Sequence, residues 1–302
     1  MPSYQNTRKL YFLFLVFLAF FTWSCKSGTN TNQTDSVRQA YEPDTVSFLL
    51  KYEGSLFPLP SPYQVAQLIK SNNIPFNESI VNSPENAKRY STNLKKALNF
   101  GVYGTNLSYL NIYNQTPESI TYLNVLKKLS EELGISPAFD AQFFGKIERN
   151  ISNRDSLLVM LSNSYRKADG FLKENDRNEV GALILAGGWI ESLYLLTTIA
   201  KVTSNRDVIN RLGEQKHPLD NLIEVLSPLY YKSDEHAKLT DKLIDLAYEF
   251  DGIIYSYSYK EPKIDVANKI IYINSQSRVI MSEYHLDIIS RKVEDIRSLI
   301  VE

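Results

Sequence analysis

Apolar residues recur at helical spacing along most of the chain. From residue 61 onward, runs with apolar positions three and four residues apart alternate with helix-start signals. Pairs such as Ser61-Pro62 and Thr116-Pro117 are typical of an N-cap followed by the first helical residue. We therefore predict a mainly α protein, a multi-helix bundle. Its predicted helices span 62–72, 84–113, 117–133, 137–151, 154–174, 177–202, 205–213, 218–231, 233–251 and 283–300.

Two of these segments, 97–113 and 181–200, are apolar on nearly every face. A helix of that kind is buried at the centre of a bundle or spans a membrane. The second segment has the length of a span, but Glu191 lies near its middle, and Gly187 and Gly188 would weaken an isolated helix. We interpret both segments as central core helices.

The two apolar segments also align with each other at an offset of 85 residues. Around them, an order of long, short, short and long helices occurs twice, over about 84–174 and 177–251. Duplication of a four-helix unit would produce this order. A bundle whose helices happen to have similar lengths would produce it as well, so the pattern leaves both interpretations open.

The last 50 residues change character. Residues 253–259 alternate with a period of two, as in a strand, and residues 269–273 and 278–280 flank the polar stretch 274–277. We predict a small β-hairpin here, before the C-terminal helix.

The N-terminus has the pattern of a secretory signal, which we place at residues 1–24. Arg8 and Lys9 precede an apolar run of 12 residues, 10–21, which is too short to span a bilayer as a helix. Residues 25–44 are polar and lack an apolar period, so we expect a flexible tether. The remaining residues, 45–302, are predicted to form a single helical domain.

Cys25, the only cysteine of the chain, follows a small residue directly after this signal. Ser24-Cys25 resembles the lipobox of bacterial lipoproteins, which are cleaved by signal peptidase II. The resemblance implies that Cys25 carries lipid and anchors the chain in a membrane. Lys26, where an aspartate would favour the inner membrane, implies the outer membrane. The absence of an acid before Asp35 favours its periplasmic face.

Two tripeptides at the tether, Asp35-Ser36-Val37 and Asp44-Thr45-Val46, resemble the O-glycosylation motif of Bacteroidetes. The resemblance makes Ser36 and Thr45 candidate glycosylation sites. An ordinary polar linker would contain such tripeptides too.

Charge and composition exclude several classes of function. The 33 basic residues balance 34 acidic ones, so the chain has no basic excess for a phosphate backbone, and we expect no nucleic-acid partner. His217, His236 and His285 lack metal-binding spacing, and we interpret them as exposed residues at helix starts. No catalytic or phosphate-binding motif occurs. We therefore expect no enzymatic activity, no metal and no cofactor.

Glycines inside the central helices are the remaining candidate feature. A glycine in a helix interior costs about 1 kcal/mol relative to alanine, so Gly101, Gly104, Gly187 and Gly188 need a reason. Close approach of the two helices is one reason. A pocket for a small amphipathic ligand at their crossing is the other. Its candidate lining residues are Tyr103, Asn106, Tyr109, Trp189, Glu191 and Tyr194.

The stretches 99–109 and 187–191, together with the Ser24-Cys25 pair, resemble a lipoprotein family of Bacteroidetes. The resemblance implies location and lineage but no activity. We expect a non-enzymatic helical scaffold or adaptor of the cell envelope, with a protein partner there. The alternative is a periplasmic small-molecule binder or sensor-like bundle with a pocket near Gly104, Trp189 and Glu191. A filled crossing with an apolar surface patch would favour the scaffold, and a cavity at the crossing would favour the binder.

Overall fold

The computed structural model of the protein describes residues 48–52, 55–59, 61–140 and 142–302. The predicted signal, Cys25, the tether, and the candidate sites Ser36 and Thr45 lie outside these residues. The described residues belong to one compact unit.

The described part is mainly helical, as predicted, and contains ten α-helices. Side-chain caps begin most of them; Ser61 and Gln64, for example, form a reciprocal capping box at the first. The helices are α1 (Pro62–Ser71), α2 (Asn93–Ile112), α3 (Thr116–Glu132), α4 (Phe143–Arg149), α5 (Arg154–Glu174), α6 (Asn178–Thr203), α7 (Arg206–Gly213), α8 (Lys216–Leu226), α9 (Asp234–Asp251) and α10 (Glu283–Val301).

Three predicted helices are shorter in the structure. The predicted helix 84–113 divides into a 3-10 segment, Pro84–Arg89, and α2, because Tyr90 is extended and Thr92 caps a new helix by accepting from the Lys95 amide. The predicted helix 218–231 ends at Leu226. Pro228 lacks an amide hydrogen, and a 3-10 segment, Ser227–Lys232, follows.

The third prediction, 137–151, divides in the same way. A 3-10 turn, Ser136–Ala138, is followed by extended Phe139, and α4 begins only at Phe143. The Asp140 side chain accepts from the Gln142 amide and closes this break.

Helices α2 and α6 form the centre of the bundle and pack directly against each other. Helix α6 also contacts α1, α5, α7, α8 and α10. It has the length and hydropathy of a membrane span, yet 83% of its most apolar window is buried inside the protein. The prediction of two central core helices is confirmed.

Glycine permits the close packing of α2 on α6. A Cβ on Gly187 would lie 1.8 Å from the Leu98 carbonyl oxygen, and a Cβ on Gly101 would lie 2.0 Å from the Ile184 carbonyl oxygen. At Gly188 a Cβ would meet nothing nearer than 3.5 Å. The two backbones therefore touch at Gly101 and Gly187, where any side chain would collide with main-chain atoms.

An antiparallel hairpin that sequence reasoning missed precedes the helices: β1 (Phe48–Tyr52) pairs with β2 (Ser55–Leu59). A detectable signal was present. Glu53-Gly54 separates two short apolar runs, as a two-residue hairpin turn would.

The predicted hairpin before the C-terminal helix is present, but its pairing differs from the prediction. Four strands form a nested ribbon, in which the outer pair encloses the inner one. The prediction placed the turn at residues 274–277; the chain instead reverses at residues 266–269, where Asn268 donates two hydrogen bonds to the Asp265 carboxylate. The strands are β3 (Ile254–Ser258), β4 (Lys263–Asp265), β5 (Ile270–Tyr272) and β6 (Gln276–Ile280), with β3 paired to β6 and β4 to β5.

We call residues 254–280 the β-arm. Its base is attached to α7: the Tyr255 hydroxyl donates to the Gly213 carbonyl at 2.7 Å, and buried Val279 occupies the space where a side chain at residue 213 would lie. The rest of the β-arm is largely exposed.

Candidate functional site

The candidate pocket residues lie in the core, where protein atoms surround them. Tyr103, Asn106, Tyr109 and Glu191 have no exposed surface, Trp189 is 3% exposed, and Tyr194 is partly buried. The structure brings Asn106, Glu191 and Tyr194 together. Tyr103 and Tyr109 instead bind the segment before α2, and Trp189 binds Gln215.

Glu191 is paired with a cation that the sequence did not reveal. Arg297 of α10 donates from Nε to Oε2 at 2.7 Å and from Nη2 to Oε1 at 3.0 Å. The Asn106 amide donates to Oε1 at 2.7 Å. The Arg297 guanidinium lies over the Tyr194 ring, 4.1 Å from its centroid. These contacts use both oxygens of the carboxylate within the protein.

Burial alone would lower the pKa of the Arg297 guanidinium, but the adjacent Glu191 carboxylate outweighs this effect and the pKa is raised. The two groups therefore form a charged pair in the core. A carboxylate in the middle of an apolar helix requires a partner of this kind. Arg297 lies 106 residues away on an amphipathic helix, and no signal distinguishes it from the other basic residues of the chain.

A buried amide extends this polar cluster into the segment before α2. The backbone N–H of Asn82 donates to Asn106 Oδ1 at 3.0 Å, and the side-chain amide of Asn82 donates to the Tyr90 hydroxyl at 2.9 Å. Arg297 Nη2 reaches the Ile80 carbonyl at 3.4 Å. The polar groups at the crossing thus bind one another and the backbone, as buried polar groups must.

Tyrosine hydroxyls attach the irregular segment 72–92 to the bundle. Tyr103 donates to the Ser83 carbonyl and Tyr122 to the Asn82 carbonyl, both at 2.8 Å. Two further contacts are made from the end of α2: the Tyr109 hydroxyl accepts from the Asn77 amide at 3.0 Å, and the Tyr113 hydroxyl donates to the Ile74 carbonyl at 2.5 Å. A segment with little regular structure needs such partners for its backbone groups. These four tyrosines therefore have a structural role.

Burial also raises the pKa of these phenols, because the charged form cannot be hydrated. The pKa of Tyr113 rises to about 12, and the pKa values of Tyr103, Tyr109 and Tyr122 are raised in the same direction.

Side chains of α2, and of Tyr90 just before α2, cap the C-terminal end of α10. Lys95 Nζ donates to the Leu299 carbonyl at 2.5 Å, and Asn99 Nδ2 donates to the Ile300 carbonyl at 2.8 Å. The Tyr90 hydroxyl reaches the Val301 carbonyl at 3.3 Å. Carbonyls that a helix end leaves without partners are thus bound.

A cleft of about 220 Å³ opens beside this helix end, away from the predicted pocket. Leu94, Leu98 and Leu239 line it, with Asp234 and Lys238 as charged neighbours. Neither Trp189 nor Glu191 borders it.

The prediction of exposed histidines holds only for His217. His285 is partly buried, and His236 is buried, with Nε2 3.1 Å from Glu179 Oε1 and Nδ1 2.8 Å from Ser233 Oγ. Ser233 caps α9 and orients the ring inward. Within the described residues, no three His, Cys, Asp or Glu side chains are grouped as a metal site.

Exposed apolar side chains are concentrated on the β-arm. Of the fourteen large hydrophobic residues exposed in the described part of the chain, ten lie between residues 254 and 280. Clusters of this kind mark interaction surfaces. They are Ile254, Tyr255, Tyr257, Tyr259, Ile264, Val266, Ile271, Tyr272, Ile273 and Ile280.

No protein-family model matches the chain, and no curated protein or solved structure matches it either.

Proposed function

We propose that the protein is a lipid-anchored, non-enzymatic scaffold or adaptor of the cell envelope, held at the periplasmic face of the outer membrane. In this proposal the helical body supplies rigidity and the β-arm supplies the docking surface. The observation that carries it is the concentration of exposed apolar side chains on the β-arm.

The interior of the bundle supports the same proposal. The α2–α6 crossing is closed by backbone contact at Gly101 and Gly187, and the Glu191 carboxylate is bound by Arg297 and Asn106. A small-molecule binder would need free polar groups and space there. This geometry favours the scaffold over the alternative of a ligand pocket near Gly104, Trp189 and Glu191.

Lipidation of Cys25 is the first test. In cells fed a palmitate analogue, the wild-type chain should incorporate the label and Cys25→Ser should not, because the chain has no other thiol. In cell fractionation, the Cys25→Ser variant should be absent from the membrane fraction that contains the wild-type chain. Label that persists on Cys25→Ser would contradict the proposed anchor.

Native mass spectrometry of the purified full chain tests the choice between scaffold and binder. A scaffold should show the mass of the lipidated chain without a further small molecule. A small-molecule mass that is present in the wild type and absent from Glu191→Gln would favour the binder instead.

A further inference from the structure

The outer half of the β-arm carries an aliphatic face. Ile264 and Ile271 are directly paired, so their side chains lie on the same face of the ribbon. Val266, in the turn, and Ile273, directly after β5, are exposed beside them. These four side chains are 61–80% exposed. An exposed aliphatic cluster of this kind marks an interaction surface, since covering it with an apolar phase is favourable.

Tyrosines lie behind the aliphatic tip. Tyr257 and Tyr259 are 66% and 69% exposed, and Tyr272 beside the tip is 48% exposed. A phenol has an apolar ring and a polar end, which suits the boundary between lipid and water. Ser256 and Ser258 alternate with Tyr257 and Tyr259 along β3. The β-arm is thus aliphatic near its turn and aromatic in its middle, and Ile254 and Ile280 are exposed at its base.

The charge of the β-arm differs from that of the whole chain. Residues 254–280 contain four cations and two acids, whereas the full chain has a net charge of −1. One of the acids, Asp265, accepts from Asn268 within the turn. Lys260, Lys263 and Lys269 form no ion pair with a residue that the structure describes. Lysines on long stems beside apolar side chains complement anionic headgroups.

The backbone limits how deeply such a ribbon can enter a bilayer. Both edges of a two-stranded ribbon present N–H and C=O groups without a strand partner, and hydrocarbon cannot satisfy them. The three paired residues of β4 and β5 span only about 10 Å. The ribbon is therefore suited to the headgroup region and the adjoining acyl chains, and not to crossing the membrane.

We propose that the β-arm docks on an anionic phospholipid surface, with Ile264, Val266, Ile271 and Ile273 inserted at the headgroup boundary. This deepens the proposed function and rests on it in one respect: the lipid anchor keeps the β-arm near the bilayer. A tethered segment has an effective concentration in the millimolar range, so weak insertion suffices. Two contacts, anchor and β-arm, then fix the orientation of the helical body on the membrane.

The experiment uses the full lipidated chain in vesicles of phosphatidylethanolamine and phosphatidylglycerol. Since Cys25 is the only native cysteine, a cysteine introduced by Ile271→Cys is the only free thiol and can carry an environment-sensitive fluorophore. The matched control is Val202→Cys, at an exposed position on the body. Emission and quenching by nitroxide-bearing lipids are compared at the two positions, and melting temperatures establish that both variants are folded.

We expect a blue shift and strong quenching by the nitroxide lipids at position 271, with little of either at position 202. Lys260→Gln, Lys263→Gln and Lys269→Gln together should reduce the shift, as should vesicles of phosphatidylcholine alone. Equal quenching at positions 271 and 202 would overturn the proposal. So would a shift that follows the protein-to-lipid ratio without lipid quenching, because it would assign the β-arm to a second copy of the chain.

The proposed lipid anchor and the proposed contact of the β-arm with lipid are tested by independent measurements. Incorporation of the palmitate analogue reports on Cys25, and quenching reports on residue 271. If Cys25 proves unlipidated, the proposed anchor is lost, and Ile271→Cys labelled in a Cys25→Ser background, with added vesicles, still measures contact of the β-arm with lipid.

Discussion

Glu191 and Arg297 illustrate what a single residue requires of its surroundings. Glu191 lies wholly inside the bundle, and an ionised carboxylate there needs a partner with opposite charge and complementary hydrogen bonds. Arg297 provides two parallel donors and Asn106 a third. The cluster connects α2, α6 and α10, so one residue's need for a partner helps to determine how three helices meet.

Glu191→Gln should lower the free energy of unfolding by about 3 kcal/mol, because Arg297 would keep a buried charge without its counterion. The matched control is Glu85→Gln, whose partner Lys88 is exposed, and it should leave stability nearly unchanged because solvent screens an exposed pair. Chemical denaturation of the three proteins measures both effects. An unchanged free energy of unfolding in Glu191→Gln, with loss of a bound mass, would contradict the structural role.

Trp189→Ala should lower the free energy of unfolding by about 3–5 kcal/mol, the usual cost of truncating a buried aromatic side chain. The indole also donates to Gln215 Oε1 at 3.1 Å, and this buried oxygen would lose its donor. Tyr231→Ala, at a side chain 95% exposed, is the control and should be near neutral. Denaturant melts compare the three proteins, and equal midpoints would place the indole outside the core.

At the scale of the element, contact between α2 and α6 depends on where glycine lies and not on how many glycines there are. Gly187 faces the Leu98 carbonyl directly, whereas the neighbouring Gly188 has ordinary van der Waals space. Two adjacent glycines in one helix therefore differ: a side chain at Gly187 would collide with the α2 backbone, whereas one at Gly188 would meet no atom nearer than 3.5 Å.

Gly187→Ala should destabilise the protein by at least about 3 kcal/mol, since a Cβ 1.8 Å from a carbonyl oxygen forces the helices apart. Gly188→Ala should be neutral or stabilising, because alanine favours the helix by about 1 kcal/mol and meets no atom nearer than 3.5 Å. Thermal unfolding of the two variants tests the difference. Equal losses at both positions would mean that the helices do not touch at Gly187.

At the scale of the whole molecule, tyrosine hydroxyls connect an irregular segment to the helices. Tyr103, Tyr109, Tyr113 and Tyr122 bind backbone groups between Ile74 and Ser83. Their bonds to carbonyls require the protonated phenol as donor. The stability of this part of the molecule therefore depends on pH.

The free energy of unfolding should be constant from neutral pH to about pH 9 and should fall above about pH 10, the ordinary pKa of tyrosine. The folded-state pKa values are raised, so the unfolded chain releases phenolic protons first and alkaline pH favours unfolding. The loss extends through the Tyr113 pKa of about 12. Denaturant titrations at each pH measure it.

Tyr113→Phe removes one of these phenols and should make the alkaline decline less steep. Tyr231→Phe, which removes an exposed hydroxyl, is the matched control and should leave the slope as in the wild type. A slope unchanged by Tyr113→Phe would mean that its hydroxyl is equally hydrated before and after unfolding.

Local patterns in the sequence were enough to predict the helical class, the ends of most helices and the two central segments. Caps, prolines and apolar periodicity act over a few residues, and the structure confirms the predicted cap at Ser61. The predicted cap at Thr116 is wrong: Thr116 is the first residue of α3, which has no side-chain cap. The predicted helix 84–113 was wrong because two start signals follow each other there. Pro84 begins a 3-10 segment, and Thr92 caps a separate helix. The duplication of about 84–174 and 177–251 stays a prediction. One observation bears on it: the Asn106–Glu191 hydrogen bond joins the two positions that the offset of 85 aligns.

Pairing over long distances was decided only by the tertiary structure. Arg297 as the partner of Glu191, the inward-facing His236 and the pairing of β3 with β6 depend on which chemically equivalent group lies nearest after folding. The sequence contains 33 basic residues and cannot rank them for Glu191. Local periodicity, by contrast, is a property of adjacent residues, so it is determined before the chain folds. Contact between α2 and α6 arises from both: the sequence determines where the glycines are, and packing decides that a side chain at Gly101 or Gly187 would collide with a backbone while one at Gly188 would not.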